Sequence, residues 1–550
     1  MATDIEGAAR SLVSSMAKSA GSKAGTCTLS VSVYDTAWVA MVDKQVNGGS
    51  VPLFPECFQC LLDAQLPDGS WESYAGTVDG ILNTMAALLA LKKRCNGTRG
   101  LPNIDLKSRC FRAETALRLM FERWDITQCD RVGFEMVIPS LLRLLEQHNT
   151  QIDFSGRELL MQMHDEKMSG LYTRLSGRGQ TTLIHSLEAF VGRLDYGEMK
   201  HYLSPGGSMM GSPSSTAAYL MFSPSWDERA EAYLRLVTHT PSHARQKGGV
   251  PFAFPTTIFE LSWVTVTLLE AGFTVQDLGE SNVGIVKDFL SENLRLNNGL
   301  ASFAPNLLPD ADDTVMALSA VYLLGERVSL KPLFETFEVP THFRTYEGER
   351  NPSLSVNCNV LLCLLRRHDV YRYTAKVAKV ASYLTEAWDG PLFKDKWNES
   401  EQYLTMLLAK ALVLLLARRR ANELDGLLIG DLMVEEQIPA MLLDIVNRLF
   451  CSQEKNGSWE SKHEVTAYAL LALVALADHP WMPAVDQELR LRLRRGRDYL
   501  QKSQSSWGQG NHVWIGKVAF SVSNFSAAYC LAAVKATQQL CLGFPAARQD

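Results

Sequence analysis

A turn followed by a helix of small residues recurs five times in this 550-residue chain. The two clearest copies share the letters Gly-Ser-Trp-Glu, and the other three keep the glycine and the small-residue helix. In chain order the copies are QLPDGSWE (65–72) before TMAALLAL (84–91), GGSMMGS (206–212) before STAAYLM, NNGLASF (297–303) before TVMALSAVYLL, QEKNGSWE (453–460) before TAYALLAL (466–473), and SSWGQG (505–510) before SNFSAAYCLAA. Five copies predict a repeat architecture.

Each part of the repeat has a physical reason. Glycine permits a left-handed turn, an aromatic ring closes the end of a helix, and Ala and Leu at helical spacing let neighbouring helices approach closely. No sustained period-2 run competes with the helical pattern, and further helices are predicted at 137–147, 258–273, 359–367 and 527–536. We therefore predict an all-α protein built from α/α barrels.

The length exceeds one compact core, so two large domains are expected. A hydrophobic content of 46%, a charged content of 21% and a mean hydropathy of −0.05 are typical of a globular protein. The net charge of −6, without a basic stripe, argues against a nucleic-acid partner.

No apolar run is long enough to cross a bilayer, and the longest candidate (411–420) ends in three arginines. The N-terminus lacks the apolar core of a signal peptide, so we expect a cytoplasmic protein that begins with an amphipathic helix. Cys57 and Cys60 form the single CxxC, and no second pair completes a zinc site, so two buried thiols are expected.

One repeat carries an unusual acidic cluster. LLPDADDTVMALSAVYLLG (307–325) places Asp310, Asp312 and Asp313 before an apolar helix. Asp312 or Asp313 could cap a helix that starts near Thr314. The other copies carry no comparable cluster, so the repeat itself does not require one, and a chemical role stands beside capping.

These segments resemble the class II diterpene cyclases, specifically copalyl diphosphate synthases, along nearly the whole chain. The matching segments, in the family's order, are SVYDTAWVAMV (32–42), FPECFQCLLDAQLPDGSWE (54–72), VGFEMVIPSLL (132–142), TTLIHSLEAF (181–190), GSPSSTAAYLM (211–221), GGVPFAFPTTIFE (248–260), the DxDD of 310–313, DKW (395–397) and VWIGKVAFSVSN (513–524).

The resemblance implies two α/α-barrel domains and no class I α domain. The β domain would comprise residues 1–49 plus 254–550, and the γ domain would be residues 50–253, inserted into it. The active site would lie between the two.

In the family the middle aspartate, here Asp312, is the general acid, and Asp310 and Asp313 hold and restore its proton. Crowding and water exclusion both raise a carboxyl pKa, which suits an acid that protonates an alkene. Asn359 matches the position that hydrogen-bonds the acid, although a buried structural asparagine is the alternative.

The diphosphate is retained in this chemistry, so cations should hold it away from the acid. Lys396 and, less securely, Lys167 match family lysines with that task, and Lys517 is a further candidate with a local structural role as its alternative. Mg²⁺ assists many members through an acidic motif before VGFE. The corresponding residues here are Glu122, Asp125, Asp130 and Glu135, in a less acidic run than the family's.

Aromatic faces would stabilise the carbocations. Trp263, Phe303, Trp397 and Trp514 are the candidates for this role. In plant enzymes a histidine and an asparagine position the water that removes the final proton. His185 matches the histidine, but Phe252 stands where the asparagine would be, and a phenyl ring cannot hold water through two hydrogen bonds. The same base pair is therefore not predicted, and the stereochemistry cannot be transferred.

The chain lacks the DDxxD motif of ionisation-type synthases. It matches either a two-domain cyclase or the cyclase part of a fusion with a class I terpene synthase or prenyltransferase, which is the expected partner. The leading hypothesis is cyclisation of geranylgeranyl diphosphate to a copalyl diphosphate. The alternatives are a hydroxylated labdane or drimane diphosphate synthase, a squalene-hopene-type cyclase, and a non-catalytic α/α partner subunit.

Overall fold

A computed structural model describes residues 4–22, 25–97, 104–129, 131–176, 181–240, 247–349, 351–388, 394–477 and 486–543. The protein is mostly helical, which confirms the predicted fold class. The α-helices are α1 Ile5–Ala20, α2 Val33–Ala40, α3 Pro55–Ala64, α4 Thr77–Gly97, α5 Ile104–Arg123, α6 Phe134–Glu146, α7 Arg157–Ser176, α8 Pro213–Phe222, α9 Glu228–His239, α10 Thr257–Glu270, α11 Val275–Leu278, α12 Glu280–Leu296, α13 Ala311–Leu323, α14 Lys331–Phe337, α15 Leu354–Leu365, α16 Thr374–Trp388, α17 Glu401–Arg420, α18 Ile438–Ser452, α19 His463–Leu476, α20 Asp486–Lys502 and α21 Ser523–Gly543.

Two short antiparallel hairpins and several tight helical turns complete the described structure. The hairpins pair β1 Asp43–Val46 with β2 Gly49–Pro52, and β3 Val513–Ile515 with β4 Val518–Phe520. Short 3-10 helices occur at Ile126–Gln128, Thr182–Phe190, Glu198–Tyr202, Val370–Tyr373 and Gln504–Ser506, and a π turn occurs at Met433–Gln437.

Six helices form a closed inner ring, which we call the first ring. Helices α10, α13, α15, α17, α19 and α21 each pack on the next, and α21 returns to α10. Outer helices cover the seams: α1 and α12 pack beside α10, α16 on α15, α18 between α17 and α19, and α20 between α19 and α21. The buried faces of these inner helices are rich in Ala and Leu, which permits the close packing.

A second ring is built in the same way from the earlier part of the chain. Helices α2, α4 and α6, the 3-10 segment Thr182–Phe190 and α8 pack in that order, and α8 closes the ring against α2. Helix α2 precedes the boundary predicted between residues 49 and 50, yet its packing partners α3, α4 and α8 follow it. The domain limits themselves stay a prediction.

The predicted repeat is visible as one recurring set of hydrogen bonds. In the first copy, the Trp71 indole N–H donates to the Leu61 carbonyl, and the Trp71 backbone N–H donates to Thr84 Oγ1 at 3.3 Å. The fourth copy repeats both bonds, from Trp459 to the Leu449 carbonyl and, at 3.0 Å, to Thr466 Oγ1. The aromatic plug and the threonine therefore fix each turn to the helices before and after it.

The other copies keep parts of this arrangement. The backbone N–H of Met209 donates to Thr216 Oγ1, and that of Ala301 donates to Thr314 Oγ1. In the fifth copy the Trp507 indole donates to the Leu500 carbonyl. The turn threonine thus sets where the next inner helix stands relative to its turn.

The N-terminal helix and the buried CxxC were both predicted from the sequence. Helix α1 buries Ile5, Ala9 and Met16, and Cys57 and Cys60 are both buried. Within the described ranges, no helix combines the length and apolarity that crossing a membrane requires. The cytoplasmic location stays a prediction.

The turn glycines generate a stability prediction. Gly457 has φ +94°, and a Cβ there would lie 2.4 Å from the Arg495 carbonyl oxygen. We expect Gly457→Ala to lower the free energy of unfolding by at least about 3 kcal/mol, because backbone strain and a steric clash add. Gly325 has φ +85° and no atom within 4 Å of the added Cβ, so Gly325→Ala should cost about 1 kcal/mol. Urea denaturation would measure both, and equal losses would contradict the clash.

Candidate active site

Asp310 forms the N-terminal cap of α13. Its Oδ1 accepts the backbone N–H of Asp313 at 2.8 Å, and the helix begins at Ala311. The sequence interpretation that Asp312 or Asp313 caps a helix starting near Thr314 is therefore wrong. The physical reason is that Thr314 belongs to the turn contact with Ala301, which places the helix start one turn earlier.

Asp312 and Asp313 are thereby released from capping. Asp312 Oδ1 accepts a hydrogen bond from Asn359 Nδ2 on α15 at 2.8 Å, as the resemblance implied. Asp313 is buried, and its Oδ1 has no hydrogen-bond partner among the described residues. The three carboxyl groups interact with one another, and no described cation pairs with any of them.

Burial dominates the acidity of this cluster. Removal from water raises the pKa of Asp312 to about 7, opposed by the Asn359 hydrogen bond and reinforced by the charges of Asp310, Asp395 and Glu349. Burial likewise raises the pKa of Asp310 to about 6. It raises the pKa of Asp313 well above its ordinary value, together with the charge of Asp310 and a hydrogen bond to it. The cluster is therefore built to hold protons near neutral pH.

Two acidic neighbours were not singled out from the sequence. Asp395, in the DKW segment, is buried, and its Oδ2 accepts the backbone N–H and side-chain amide of Asn398, both at 2.7 Å. Glu349 accepts the backbone N–H of Thr345, whose carbonyl in turn accepts from Ala311 at the start of α13. The DKW motif could have pointed to Asp395, whereas nothing local in the sequence marks Glu349.

The Asn359 side chain is also in contact with a tyrosine. Tyr403 on α17 interacts with the Asn359 side chain, and its hydroxyl accepts the Trp263 indole N–H at 3.2 Å. Trp263 is therefore linked to Asp312 through two intermediate residues, Tyr403 and Asn359. The sequence predicted Trp263 as a site residue and missed Tyr403, which lies in an ordinary-looking helix.

A continuous row of rings runs from Trp263 to His185, and we call it the aromatic row. Phe303 stands at its middle, 4.5 Å from the Phe259 centroid and 5.5 Å from the Phe252 centroid. Phe252 meets the edge of His185 at 5.7 Å. The row consists of Trp263, Phe259, Phe525, Phe303, Phe520, Phe252 and His185. The structure thus brings Trp263, Phe303, Phe252 and His185 together, and it adds three phenylalanines that the sequence did not single out.

His185 closes the row at the second ring. Its Nδ1 contacts the Met210 carbonyl at 3.1 Å, which places the ring proton on Nδ1. Its Nε2 is buried and has no hydrogen-bond partner in the described parts of the chain. Burial and the nearby charge of Lys517 lower the pKa of His185 to about 3, so the imidazole is neutral.

The predicted phosphate lysines occupy different settings. Lys396 pairs with Glu349, donates to the Asn351 carbonyl at 3.0 Å and lies 4.7 Å from the Trp397 ring centroid. Lys167 pairs with Glu135. The side chains of Lys167 and Lys396 are 21% and 12% exposed, and Lys396 Nζ also donates to the Tyr346 hydroxyl at 3.4 Å.

Lys517 is instead enclosed. Its side chain is 1% exposed, and its Nζ donates to the His185 carbonyl at 2.6 Å, Ser214 Oγ at 2.7 Å, and Glu188 Oε1 and Ser212 Oγ at 2.9 Å. These acceptors occupy all three N–H donors of the ammonium. This geometry favours the local structural role that the sequence left open.

Trp514 lies in β3, is buried, and stacks at 5.8 Å from the Arg131 guanidinium. It does not contact the aromatic row through any recorded ring pair within the described residues. Trp397 is linked to it by a backbone hydrogen bond of 2.9 Å and faces Lys396.

The candidate metal ligands do not form a cluster. Asp125 caps the turn at Thr127, which lowers the pKa of Asp125 through two hydrogen bonds from that residue, and Glu135 is engaged with Lys167. Glu122 is exposed, and Asp130 lies outside the described residues. Among the described residues, no group of three His, Cys, Asp or Glu side chains could hold a metal ion. The described candidates, Glu122, Asp125 and Glu135, therefore do not fit a preformed magnesium site.

A second buried acid lies in the fourth repeat. Glu464 occupies the position two residues before the turn threonine Thr466, as Asp312 does before Thr314. Burial raises the pKa of Glu464 to about 7. Both of its oxygens are engaged, one by the Tyr468 hydroxyl and one by the Asn511 backbone N–H at 2.6 Å.

Comparison with known proteins finds relatives over nearly the whole chain. No protein-family model matches. A pimaradiene synthase of Emericella nidulans is 39% identical over 530 residues, which are 92% of this chain and 53% of that protein. A copalyl diphosphate synthase of Talaromyces verruculosus is 35% identical over 98% of this chain and 56% of its own length. A protein of Gibberella fujikuroi named bifunctional ent-kaurene synthase is 37% identical over 99% of this chain and 57% of its own length.

The chain spans about half the length of these curated relatives. Among solved structures, an ent-copalyl diphosphate synthase from Streptomyces platensis superposes with a TM-score of 0.76 at 24% identity, covering 98% of this chain and 100% of that one. This likeness shows a shared fold.

The raised pKa values predict how stability depends on pH. The pKa of Asp312 is raised to about 7 in the folded protein, above its pKa in the unfolded chain. Its protonated form therefore stabilises the fold fully at pH values below the unfolded-state pKa, and this contribution is lost as the pH rises through about 7. Asp312→Asn removes the titration. We expect the variant to gain stability relative to the wild type between pH 4 and 7, by up to roughly 4 kcal/mol. Chemical denaturation across that range would measure it, and parallel curves would contradict a buried, proton-holding Asp312.

Proposed function

The chain is a homologue of fungal copalyl diphosphate and ent-kaurene synthases and has the fold of the class II diterpene cyclases, and from this we propose that it cyclises geranylgeranyl diphosphate to a copalyl diphosphate. The observation that carries the proposal is the acid cluster. The pKa of Asp312 is raised to about 7 with no described cation beside it, so a substantial fraction of Asp312 keeps its proton at neutral pH, which is what protonation of an alkene requires.

The proposed reaction begins with proton transfer from Asp312 to the terminal alkene of the substrate. The O–H bond breaks, a C–H bond forms, and the positive charge is left on the more substituted carbon. The neighbouring alkenes then attack in turn and close two rings. Asp310 and Asp313 support reloading of Asp312, because their own raised pKa values keep a proton within the cluster.

The aromatic row suits the carbocations that follow. Its faces attract positive charge through their quadrupoles, and phenyl rings offer no oxygen or nitrogen that would trap the cation prematurely. The row begins beside the acid cluster, through Trp263 and Tyr403, and it ends at His185. This arrangement supports a reaction that starts at one end of the row and is quenched near the other.

Termination differs from the plant pattern in this proposal. Phe252 occupies the position of the plant asparagine and packs on His185, so a water molecule held by both residues is not supported. The neutral His185 imidazole, with an unpartnered Nε2 among the described residues, is the group we propose to face the final cation.

Asp312→Asn tests the proposed acid. We expect it to reduce cyclisation of geranylgeranyl diphosphate at least about 10³-fold, because the amide cannot donate a proton of comparable acidity. Products would be dephosphorylated and identified by mass spectrometry with chiral chromatography. Asp277→Asn, which alters an exposed helix cap on α11, is the control and should keep full turnover. The wild-type rate should fall above about pH 7, as the acid ionises.

Four outcomes would contradict parts of this proposal. Recovery of the linear alcohol alone from the wild type would contradict the cyclase and favour a non-catalytic partner subunit. A hydroxylated bicyclic product, or turnover of a farnesyl substrate, would indicate the labdane or drimane alternative. Turnover of squalene would indicate a triterpene cyclase. Unchanged cyclisation in Asp312→Asn would contradict its role as the acid.

Lys396 and Lys167 are proposed to hold the diphosphate. Each lysine is partly exposed and pairs with one carboxylate, so replacement by Met should raise KM for geranylgeranyl diphosphate about 10- to 100-fold while kcat changes less. Lys376→Met, at an ion pair with Glu338, is the control. Steady-state kinetics would measure the effect, and an unchanged KM in both variants would contradict it.

Magnesium remains part of the proposal through the resemblance alone, and no step above uses it. Activity titrated with Mg²⁺ after chelation would decide whether the reaction needs the ion.

The relatives' greater length supports a further proposal, that this cyclase works together with a class I terpene synthase or prenyltransferase domain. Conversion of its product by such an enzyme in a coupled incubation would test this, and a product that no class I enzyme accepts would contradict it.

A further inference from the structure

We propose that Lys517 is a positioning residue that fixes the end of the aromatic row remote from Asp312 and thereby determines how the last carbocation is quenched. This inference rests on the proposed cyclase function. It departs from the sequence expectation of a phosphate-binding lysine and assigns the residue to product specificity.

The ammonium of Lys517 ties β3–β4 to the second ring. It donates to Ser212 and Ser214 at the start of α8 and to Glu188 in the 3-10 segment. Asp35 on α2 lies 3.9 Å away and accepts the backbone N–H of Ser214 at 3.0 Å. Lys517, Glu188 and Asp35 are almost completely buried, so one cation holds three elements of the second ring together.

The same ammonium fixes His185 directly. It donates to the His185 carbonyl at 2.6 Å, while the His185 Nδ1 contacts the Met210 carbonyl at 3.1 Å. The backbone and the ring of His185 are therefore both held. The buried Nε2 is the remaining polar atom of this side chain, and it has no partner in the described structure.

The hairpin that carries Lys517 also carries part of the aromatic row. Phe520 in β4 lies 4.6 Å from the Phe252 centroid, and Phe252 in turn meets His185. Two further contacts hold the hairpin. Asp79 Oδ1 accepts the Ala519 backbone N–H at 3.1 Å. Gly133 packs against the turn of the hairpin, and a Cβ added to Gly133 would lie 2.1 Å from the Gly516 carbonyl oxygen. A shift of the hairpin would thus move Phe520, Phe252 and His185 together.

The final step is sensitive to such a shift. The cation can lose a proton, so that a C–H bond breaks, its electrons form an alkene and the proton passes to a neighbouring base. It can also be attacked by water, so that a C–O bond forms and the water gives up a proton. Displacements of about 1 Å in the quenching group change rates strongly. A substitution at Lys517 should therefore change the ratio of products even when protonation by Asp312 is intact.

The test replaces the ion pair as a unit with Lys517→Met/Glu188→Gln, so that no buried charge of that pair is left unpaired. We expect the double variant to consume geranylgeranyl diphosphate within about tenfold of the wild type, with KM unchanged within twofold. The ratio of the main product to isomeric alkenes and hydroxylated products should fall at least fivefold. Product analysis after dephosphorylation would measure this ratio.

Lys410→Met/Glu270→Gln is the control, because it removes another lysine–carboxylate pair, with a 3.3 Å contact and side chains 18% and 17% exposed, in the first ring, and it also removes the carboxylate that pairs with Arg366. Its product ratio should equal that of the wild type, even if its stability falls. Ser214→Ala, which removes one 2.7 Å hydrogen bond from Lys517, gives a milder second variant should the double variant not fold. It should shift the ratio in the same direction.

An unchanged product ratio in a folded Lys517→Met/Glu188→Gln variant, or in Ser214→Ala if the double variant does not fold, would overturn the inference. An equal shift in the control would also overturn it, because the effect would then follow from general destabilisation. A wild type that forms no cyclised diphosphate would instead refute the proposed function. The two failures are therefore distinguishable.

Discussion

In four of the five repeat copies, a hydrogen bond joins the turn to a threonine of the following helix, and the arrangement of both rings depends on this bond. It recurs at Thr84, Thr216, Thr314 and Thr466, in both rings. It fixes the glycine turn in these four copies, and it sets the rotation of the inner helix that follows the turn about its own axis. In the third copy that rotation determines which of the three aspartates caps the helix and which two remain for chemistry.

The two ends of the aromatic row have opposite electrostatic designs. At the acid end, three carboxyl groups that are buried or half-buried stand together with no described cation beside them, so removal from water favours the protonated form of each. At the other end, Lys517 lies among two carboxylates and several hydroxyl groups that satisfy it. The acid cluster therefore favours bound protons, whereas the contacts of Lys517 hold the surrounding segments in place.

The fold was predictable because its signal is repeated and local. The glycine turns and Ala- and Leu-rich helices predict an α/α architecture, and the resemblance at DADD and Asn359 predicted the hydrogen bond between Asp312 and Asn359. The cap was assigned to the wrong aspartate because helix starts depend on a contact with Ala301, which the local pattern does not show. Lys517, Glu349 and Tyr403 depend on contacts between distant segments, so no spacing in the sequence reveals their partners.

Glu464 and Asp312 differ in how many of their carboxyl oxygens accept hydrogen bonds. It sits at the repeat position of Asp312, and burial gives the two side chains a similar pKa, about 7. Both oxygens of Glu464 accept hydrogen bonds, one from Tyr468 and one from Asn511. One oxygen of Asp312 accepts a hydrogen bond from Asn359, and the other has no hydrogen-bond partner among the described residues. Two inner helices therefore carry an acid of similar pKa at the same repeat position. Under the proposed function, Asp312 can act on a substrate because one of its oxygens is left without a described hydrogen bond, whereas Glu464, with both oxygens bonded, holds its surroundings in place.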